Sequence, residues 1–353
     1  MKDILIVGGY GAVGKTISKI LSREYPGKII IAGRSHTKAT AAAEELKERN
    51  LRTAVLDINN VQDFSFLNTT ALVIMCIDQE NSRFVEACIK MQVKYIDISA
   101  NDQVLQKIEA LNSNAISCQS TLILSVGLAP GISNLLVKHA ANQLSAPIEA
   151  KINVLLGLGE KHGDNAYKWT FDNIHSNYSL KQNNQHIQVK SFTSPHKATL
   201  DKQRAFYLFN FSDQHALART MDIPTIRTRL AFDINFITRL LAGLRKTGIT
   251  TIFNNKKVQD LLLPLFSKAM FGTDKYGLNI EVTTTNNNHQ CILTGNGEGL
   301  ITAYVAAETA RYALENVLPH GVKHLHEIIA DIPDFLNRIK TYDNTIKIRL
   351  EQQ

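Results

Sequence analysis

The segment Ile4-Leu5-Ile6-Val7-Gly8-Gly9-Tyr10-Gly11-Ala12-Val13-Gly14-Lys15-Thr16 constrains the fold more than any other part of the chain. Apolar residues of strand character run into a glycine turn. The residues that follow place Val13, Ile17, Ile20 and Leu21 on one helical face. Strand, glycine turn and helix together aim backbone N–H groups and the positive end of a helix at one spot, which is an arrangement for binding phosphate. As a dinucleotide fingerprint, Gly9 permits the tight turn, Gly11 lets a pyrophosphate approach the backbone, and Gly14 lets the helix pack on the strand. Tyr10, Ala12 and Val13 complete that cofactor-binding turn. The same residues also fit the NTPase phosphate loop G-x-x-x-x-G-K-[ST] through Lys15 and Thr16, and Leu72–Asp78 would then supply a magnesium-binding aspartate.

The wider pattern favours the dinucleotide. Strand-like runs at Ile4–Val7, Ile29–Ala32, Thr53–Leu56, Leu72–Ile77, Tyr95–Ile98 and Leu122–Ser125 alternate with helical stretches at Ala12–Ser22, Lys38–Arg49, Ser82–Gln92 and 101–118. Such alternation predicts a parallel sheet with crossover helices, and runs apolar almost throughout fit strands covered on both faces. The middle glycine is needed by the dinucleotide turn but optional in the phosphate loop, and no other NTPase signal follows. The fold class is therefore α/β: an N-terminal Rossmann dinucleotide-binding domain with a second, mixed α+β domain.

At 353 residues the chain is long enough for two domains. The texture changes beyond Pro147, with β-patterned segments at Ala205–Phe211 and Leu278–Thr285, helical ones at Ile234–Leu244 and Gln259–Ala269, and a hairpin loop at Asn286-Asn287-Asn288. An Ala-rich helix from Leu300 to Asn316 is of the kind that packs back on a first domain. The expected division is 1–146 plus about 298–330 for the nucleotide domain, 147–297 for a substrate and dimerisation domain, and 331–353 for a C-terminal tail.

The residue ending the second strand selects the cofactor. An NAD site carries Asp or Glu there, about 20 residues beyond the glycines, bonded to the ribose 2′-hydroxyl. Here the strand ends Ile31-Ala32-Gly33-Arg34-Ser35, with Lys38 one helical turn later. A guanidinium, a hydroxyl and an ammonium in place of a carboxylate suit a 2′-phosphate, so NADP is expected over NAD. Alternatively, Arg34 is a surface residue opening a helix. Asp57, ending the third strand, either contacts the adenine side or caps a turn.

Composition excludes several classes. With 44% hydrophobic and 20% charged residues the chain can bury a core, and no run of about 18 apolar residues reads as a membrane span. Met1-Lys2-Asp3 leads straight into a strand, leaving no room for a signal peptide. The net charge of +7 is scattered rather than gathered into a basic run with aromatics, so it suits anionic cofactors better than nucleic acid. Cys76, Cys88, Cys118 and Cys291 have neither disulfide density nor metal-ligand spacing, which fits a reduced cytoplasm.

The residues from Ile4 to about Leu144 resemble the saccharopine dehydrogenase-like family, which includes saccharopine reductase, lysine dehydrogenase and carboxynorspermidine synthase-type enzymes. The matching features are Val7 to Gly14, Ala32-Gly33-Arg34, Val85-Glu86-Ala87-Cys88, Tyr95-Ile96-Asp97-Ile98-Ser99 and Gly127-Leu128-Ala129-Pro130-Gly131-Ile132-Ser133-Asn134-Leu135. A fainter echo returns from Thr302-Ala303 to Arg311. The resemblance implies a two-domain, often dimeric, NAD(P)-dependent oxidoreductase. It implies action on a C–N bond of an amino-acid-like small molecule, through an imine of an amine and a carbonyl compound. It leaves the substrate itself open.

The active site is expected beyond the carboxyl ends of the strands, in the crevice facing the second domain. There lie Cys76, Ile77 and Asp78, then Ser99 to Asn101, and Gly127 to Gly131. Asp97, inside a strand, is either catalytic or a buried hydrogen-bonding group. In the second domain the bend Gly157-Leu158-Gly159-Glu160-Lys161-His162-Gly163-Asp164 offers Lys161 and His162 as general acid or base, with Trp169 as a pocket wall. A solvated hairpin is the plainer account of that bend. His320, His324 and His326 invite a metal, but no cysteine or carboxylate joins them at ligand spacing, so a surface segment is expected there.

Overall fold

The strand-like runs of the first third become strands of a single parallel sheet in the computed structural model, which describes residues 2–48, 50–160, 164–261 and 272–352. The strands are β1 (Asp3–Val7), β2 (Ile29–Gly33), β3 (Arg52–Val55), β4 (Thr70–Met75), β5 (Lys94–Asp97), β6 (Thr121–Leu124) and β15 (Gly321–His324). Their order is β15-β6-β5-β4-β1-β2-β3, with every pairing parallel. The chain winds outward from β1 through β2 to β3, then crosses to β4 and winds the other way. The order thus reverses between β1 and β4, where sheets of this kind bind ligands beyond their carboxyl ends.

Ile4, Ile6, Ile31 and Ile74 are fully buried on one sheet face, and Val7, Val73, Met75 and Tyr95 on the other. The second set packs with Phe84, Val85, Cys88, Leu105 and Ile108 of the crossover helices. Truncating one of these side chains to alanine costs about 2–5 kcal/mol, so the sheet is a rigid platform for its loops. This unit comprises Met1–Ile132 and Gly299–Ile339.

The second unit, Ser133–Glu298 with Lys340–Gln353, is built on β7 (Glu149–Leu156), β8 (Asn177–Gln182), β9 (Gln185–Lys190), β10 (His196–Thr199), β11 (Gln203–Leu208), β12 (Thr225–Phe232), β13 (Lys275–Thr283), β14 (Asn288–Asn296) and β16 (Lys347–Gln352). The main sheet runs β10-β11-β12-β7-β13-β14-β16; β12 and β7 are parallel, and the other pairings are antiparallel. β8 and β9 form a separate hairpin, turned by Asn183 and Asn184 at φ 49° and 61°. Two consecutive left-handed residues are what a tight hairpin turn requires, and Asn tolerates them. The mixed α+β character expected of the second part of the chain is present.

The end of the chain, read from sequence as a tail, is ordered: Ile332–Lys340 is helical, and β16 pairs with β14 from His289↔Gln352 to Thr294↔Lys347. β16 is strongly charged and its partner lies far away in sequence, so no local signal announced it. No described helix is long and apolar enough to cross a membrane.

Candidate functional site

The glycine turn is built by close backbone approaches. Gly8 takes the left-handed conformation, φ +79°, and the N–H groups of Gly8 and Gly9 both donate to the Ala32 carbonyl. The tight turn assigned to Gly9 is therefore made by Gly8, which sequence reasoning passed over. Gly9 serves packing instead, since a Cβ there would stand 2.8 Å from the Ile6 carbonyl oxygen. A Cβ on Gly14 would stand 2.5 Å from the Gly8 oxygen and 2.7 Å from the Gly9 Cα, so only glycine lets helix α1 (Ala12–Glu24) seat on the turn. Gly11 is the N-cap of α1 and no side chain caps that end. The first-turn N–H groups of Ala12, Val13 and Gly14 thus lack intrahelical acceptors and carry the positive end of the helix dipole.

This geometry disposes of the NTPase alternative. The helix begins at Ala12, which places Lys15 on its side rather than around a phosphate. Its ammonium donates to both carboxylate oxygens of Glu45, at 2.9 and 2.8 Å, and the Thr16 hydroxyl donates to the Ala12 carbonyl.

Arg34 follows β2 directly. The Tyr10 ring lies against Gly33, where a Cβ would come within 2.3 Å of it, so the turn and the end of β2 abut. Arg34 and Lys38 are exposed. The Arg34 guanidinium makes no hydrogen bond or ion pair among the described residues. Ser35 is the N-cap of helix α2 (His36–Leu46), its hydroxyl accepting from the Lys38 N–H at 3.3 Å, which leaves the hydroxyl proton free to donate outward. Asp57 caps a turn: its carboxylate accepts from the Asn60 side chain and the Asn59 N–H. Those bonds, with a smaller contribution from Arg34, hold it below the usual carboxylate range.

Beyond β4, Ile77 folds over the turn, its Cγ2 2.5 Å from where a Gly8 Cβ would be, and Asp78 is exposed. Cys76 is half-buried, and burial pushes its thiol pKa up. Asp97, at the end of β5, is fully buried. One of its oxygens accepts from the Ser99 N–H at 2.7 Å. The other accepts from the Tyr95 hydroxyl at 2.6 Å and the Gln79 amide at 3.0 Å. Asp97 therefore ties the loop after β4 to the loop after β5, and both its oxygens are engaged. Ser99 is itself buried, and its hydroxyl accepts from the Asn101 N–H.

Burial raises the Asp97 carboxyl to about 6, against the opposing effect of its hydrogen bonds. Because the folded pKa lies above the unfolded one, the folded state holds the proton more tightly. The group's contribution to stability is thus greatest in acid and is lost as pH rises through about 6. Asp97→Asn, which cannot ionise, should gain on wild type by about 2 kcal/mol in unfolding free energy between about pH 4 and about pH 8. Denaturant titrations of both proteins across that range test this; a constant difference contradicts it.

The segment after β6 is also buried. Ser125 has φ +57°, and Gly131 at φ +136° closes a turn in which the Gly127 carbonyl accepts from the Ile132 N–H. The Ser125 hydroxyl lies 2.8 Å from His324 Nδ1, and His324 Nε2 lies 3.0 Å from a Glu109 carboxylate oxygen. His324 and His326 are each 2% exposed, which corrects the expectation of a surface segment; His320 alone is exposed. β15 carries His324 into the sheet beside β6, a pairing nearly 200 residues away in sequence.

In the second unit, Gly157 and Gly159 lie against the backbone of 272–275, with the Gly159 N–H donating to the Thr273 carbonyl. Asp233 pins both strands of this bend, accepting from Leu158 N–H, Thr273 N–H and the Thr273 hydroxyl. Lys161 and His162 lie outside the described residues. Trp169 is half-buried, its ring 5.6 Å from Phe209 and 5.4 Å from Phe211.

Residues 4–123 match the family model described as the saccharopine dehydrogenase NADP binding domain. Over its full length the chain is similar to apo saccharopine dehydrogenase (L-Glu forming) from Saccharomyces cerevisiae, at 13% identity, covering 100% of both chains with a TM-score of 0.65. It is also similar to an engineered D-amino acid dehydrogenase, at 14% identity over 96% of this chain and 99% of that one, with a TM-score of 0.48. No curated protein sequence matches it. A doubly wound sheet with an uncapped glycine turn and this domain match define an NAD(P)-dependent oxidoreductase. More particularly, residues 4–123 match the NADP-binding domain of saccharopine dehydrogenase, as the sequence resemblance implied.

Proposed function

We propose that the chain is an NADP-dependent reductase or dehydrogenase acting on the C–N bond of an amino-acid-derived small molecule, by imine reduction or its reverse. The observation that carries this reading is the saccharopine dehydrogenase NADP-binding domain at 4–123, joined to a full-length likeness to a saccharopine dehydrogenase. The nicotinamide supplies the two-electron redox chemistry when bound.

The protein's own part is to bind, orient and move a proton. The N–H groups of Ala12, Val13 and Gly14 hold the pyrophosphate above Gly11, where only hydrogen lies between backbone and ligand. Arg34 grips the 2′-phosphate in bidentate fashion, with the Ser35 hydroxyl and Lys38 beside it. Cys76, Ile77, Asp78 and Ser99 line the path toward the nicotinamide. Asp97 acts as a positioning residue, holding the two loops of that path together through Gln79 and Ser99. The general acid is Lys161 or His162, Trp169 is an aromatic wall for the substrate, and the working form is a homodimer.

NADPH oxidation in the presence of paired amino acids and 2-oxo acids tests the reading. Turnover with at least one pair, reversed on supplying the secondary-amine product with NADP, is the expected result. NADPH binding with no turnover for any pair would instead mark a dinucleotide sensor.

A further inference from the structure

The antiparallel part of the second unit's sheet holds a polar cluster that the redox chemistry does not use. Along β14, His289 and Cys291 are two residues apart and so share one face, opposite Val282 and Ile280 of β13. The helix Ser133–Asn142 packs on β13 and β14 and carries His139 in its last turn. One ring nitrogen from each histidine and the Cys291 sulfur lie within 4.8 Å of one another.

His289 is the telling member. It is 4% exposed, and neither of its ring nitrogens has a hydrogen-bond partner among the described residues. Leaving a buried polar group unpaired is costly, and core positions that only fill volume are apolar, as the neighbouring Leu278, Ile280, Val282 and Leu293 are. Its ring meets that of His139 at 5.8 Å, while Cys291 is fully buried beside them.

We propose that His139, His289 and Cys291 form a binding site for a thiophilic divalent cation of the zinc class. Two imidazoles and a thiolate are the donor set that such a cation prefers, and they disfavour magnesium and calcium, which want oxygen. Ligand atoms around tetrahedral zinc stand about 3.5 Å apart, so binding draws these three donor atoms closer together. Binding breaks the Cys291 S–H bond: the sulfur keeps the electron pair for the metal and one proton goes to solvent for each cation taken up. The half-buried His139 side of the cluster is the route of entry. The bound ion ties the Ser133–Asn142 helix to β14 of the sheet, which is a structural role in the unit expected to select the substrate.

The test is titration of the metal-free full-length protein with Co2+ as a spectroscopic probe and with Zn2+ in competition. The proposal expects one equivalent of Co2+ to give a thiolate-to-cobalt charge-transfer band that Zn2+ bleaches. Zn2+ at about 100-fold above its Kd should raise the unfolding midpoint by about 5 °C. Cys291→Ser should lose the charge-transfer band. His139→Gln, at a half-buried position where folding should survive, should bind at least about 100-fold more weakly and show no thermal gain. Absence of the band in wild type overturns the proposal. So does an unchanged band and affinity in His139→Gln, which would place the cation elsewhere.

Discussion

Arg34→Glu is expected to weaken NADPH binding by about 100-fold while leaving NADH binding unchanged or tighter. The wild-type guanidinium is exposed, follows β2 directly and makes no ion pair among the described residues, so it can meet a 2′-phosphate without first breaking other bonds. A charge-assisted bidentate contact contributes about 1.5–3 kcal/mol, and reversing the charge adds repulsion to that loss. On NADH the introduced carboxylate accepts from the 2′-hydroxyl, as acidic residues at this place do in NAD sites. Fluorescence titration with both cofactors reads the two affinities. Equal losses for NADPH and NADH would remove Arg34 as the determinant.

The second large effect separates two glycines that look alike in the sequence. Gly14→Ala places a methyl 2.5 Å from the Gly8 oxygen and 2.7 Å from the Gly9 Cα, both backbone atoms that can move only with the turn. The helix must lift off the strand. Overpacking of this kind costs about 1–3 kcal/mol, so the midpoint should fall by about 5 °C and NADPH affinity should fall with it. Gly11→Ala is different. Its φ of −70° suits any residue, and the added methyl meets only the Gly8 oxygen, at 3.2 Å. Stability should change by less than about 1 kcal/mol, while NADPH affinity drops at least about 10-fold because the methyl stands where the pyrophosphate approaches. If Gly11→Ala keeps full affinity, the pyrophosphate does not lie over this turn.

What the sequence made legible was the part of the fold whose signals are local. Strands buried on both faces are apolar almost throughout, so Ile4–Val7 and Leu72–Ile77 announced themselves, and the glycine turn is dictated by neighbours a few residues apart. β15 and β16 were not legible as strands: each carries charged or polar residues, and each is a strand only because β6 or β14 lies beside it. The same reason hid the burial of His324, whose partners Ser125 and Glu109 are about 200 residues away. Within the turn the glycines were evident but their division of labour was not, since the left-handed φ at Gly8 depends on how the loop meets Ala32. Lys15 and Thr16 matched a phosphate loop as letters, and only the start of the helix at Ala12 and the Glu45 ion pair show them facing elsewhere. The His139, His289 and Cys291 cluster has no linear spacing that joins all three; it exists because a helix packs against β13 and β14.

The most direct test is a side-by-side titration of the purified protein with NADPH, NADH and ATP–magnesium, with intrinsic Trp169 and nicotinamide fluorescence as readouts. Saturable one-to-one binding of NADPH, weaker binding of NADH and none of ATP–magnesium is the predicted result. Tight binding of ATP–magnesium without NADPH would contradict it.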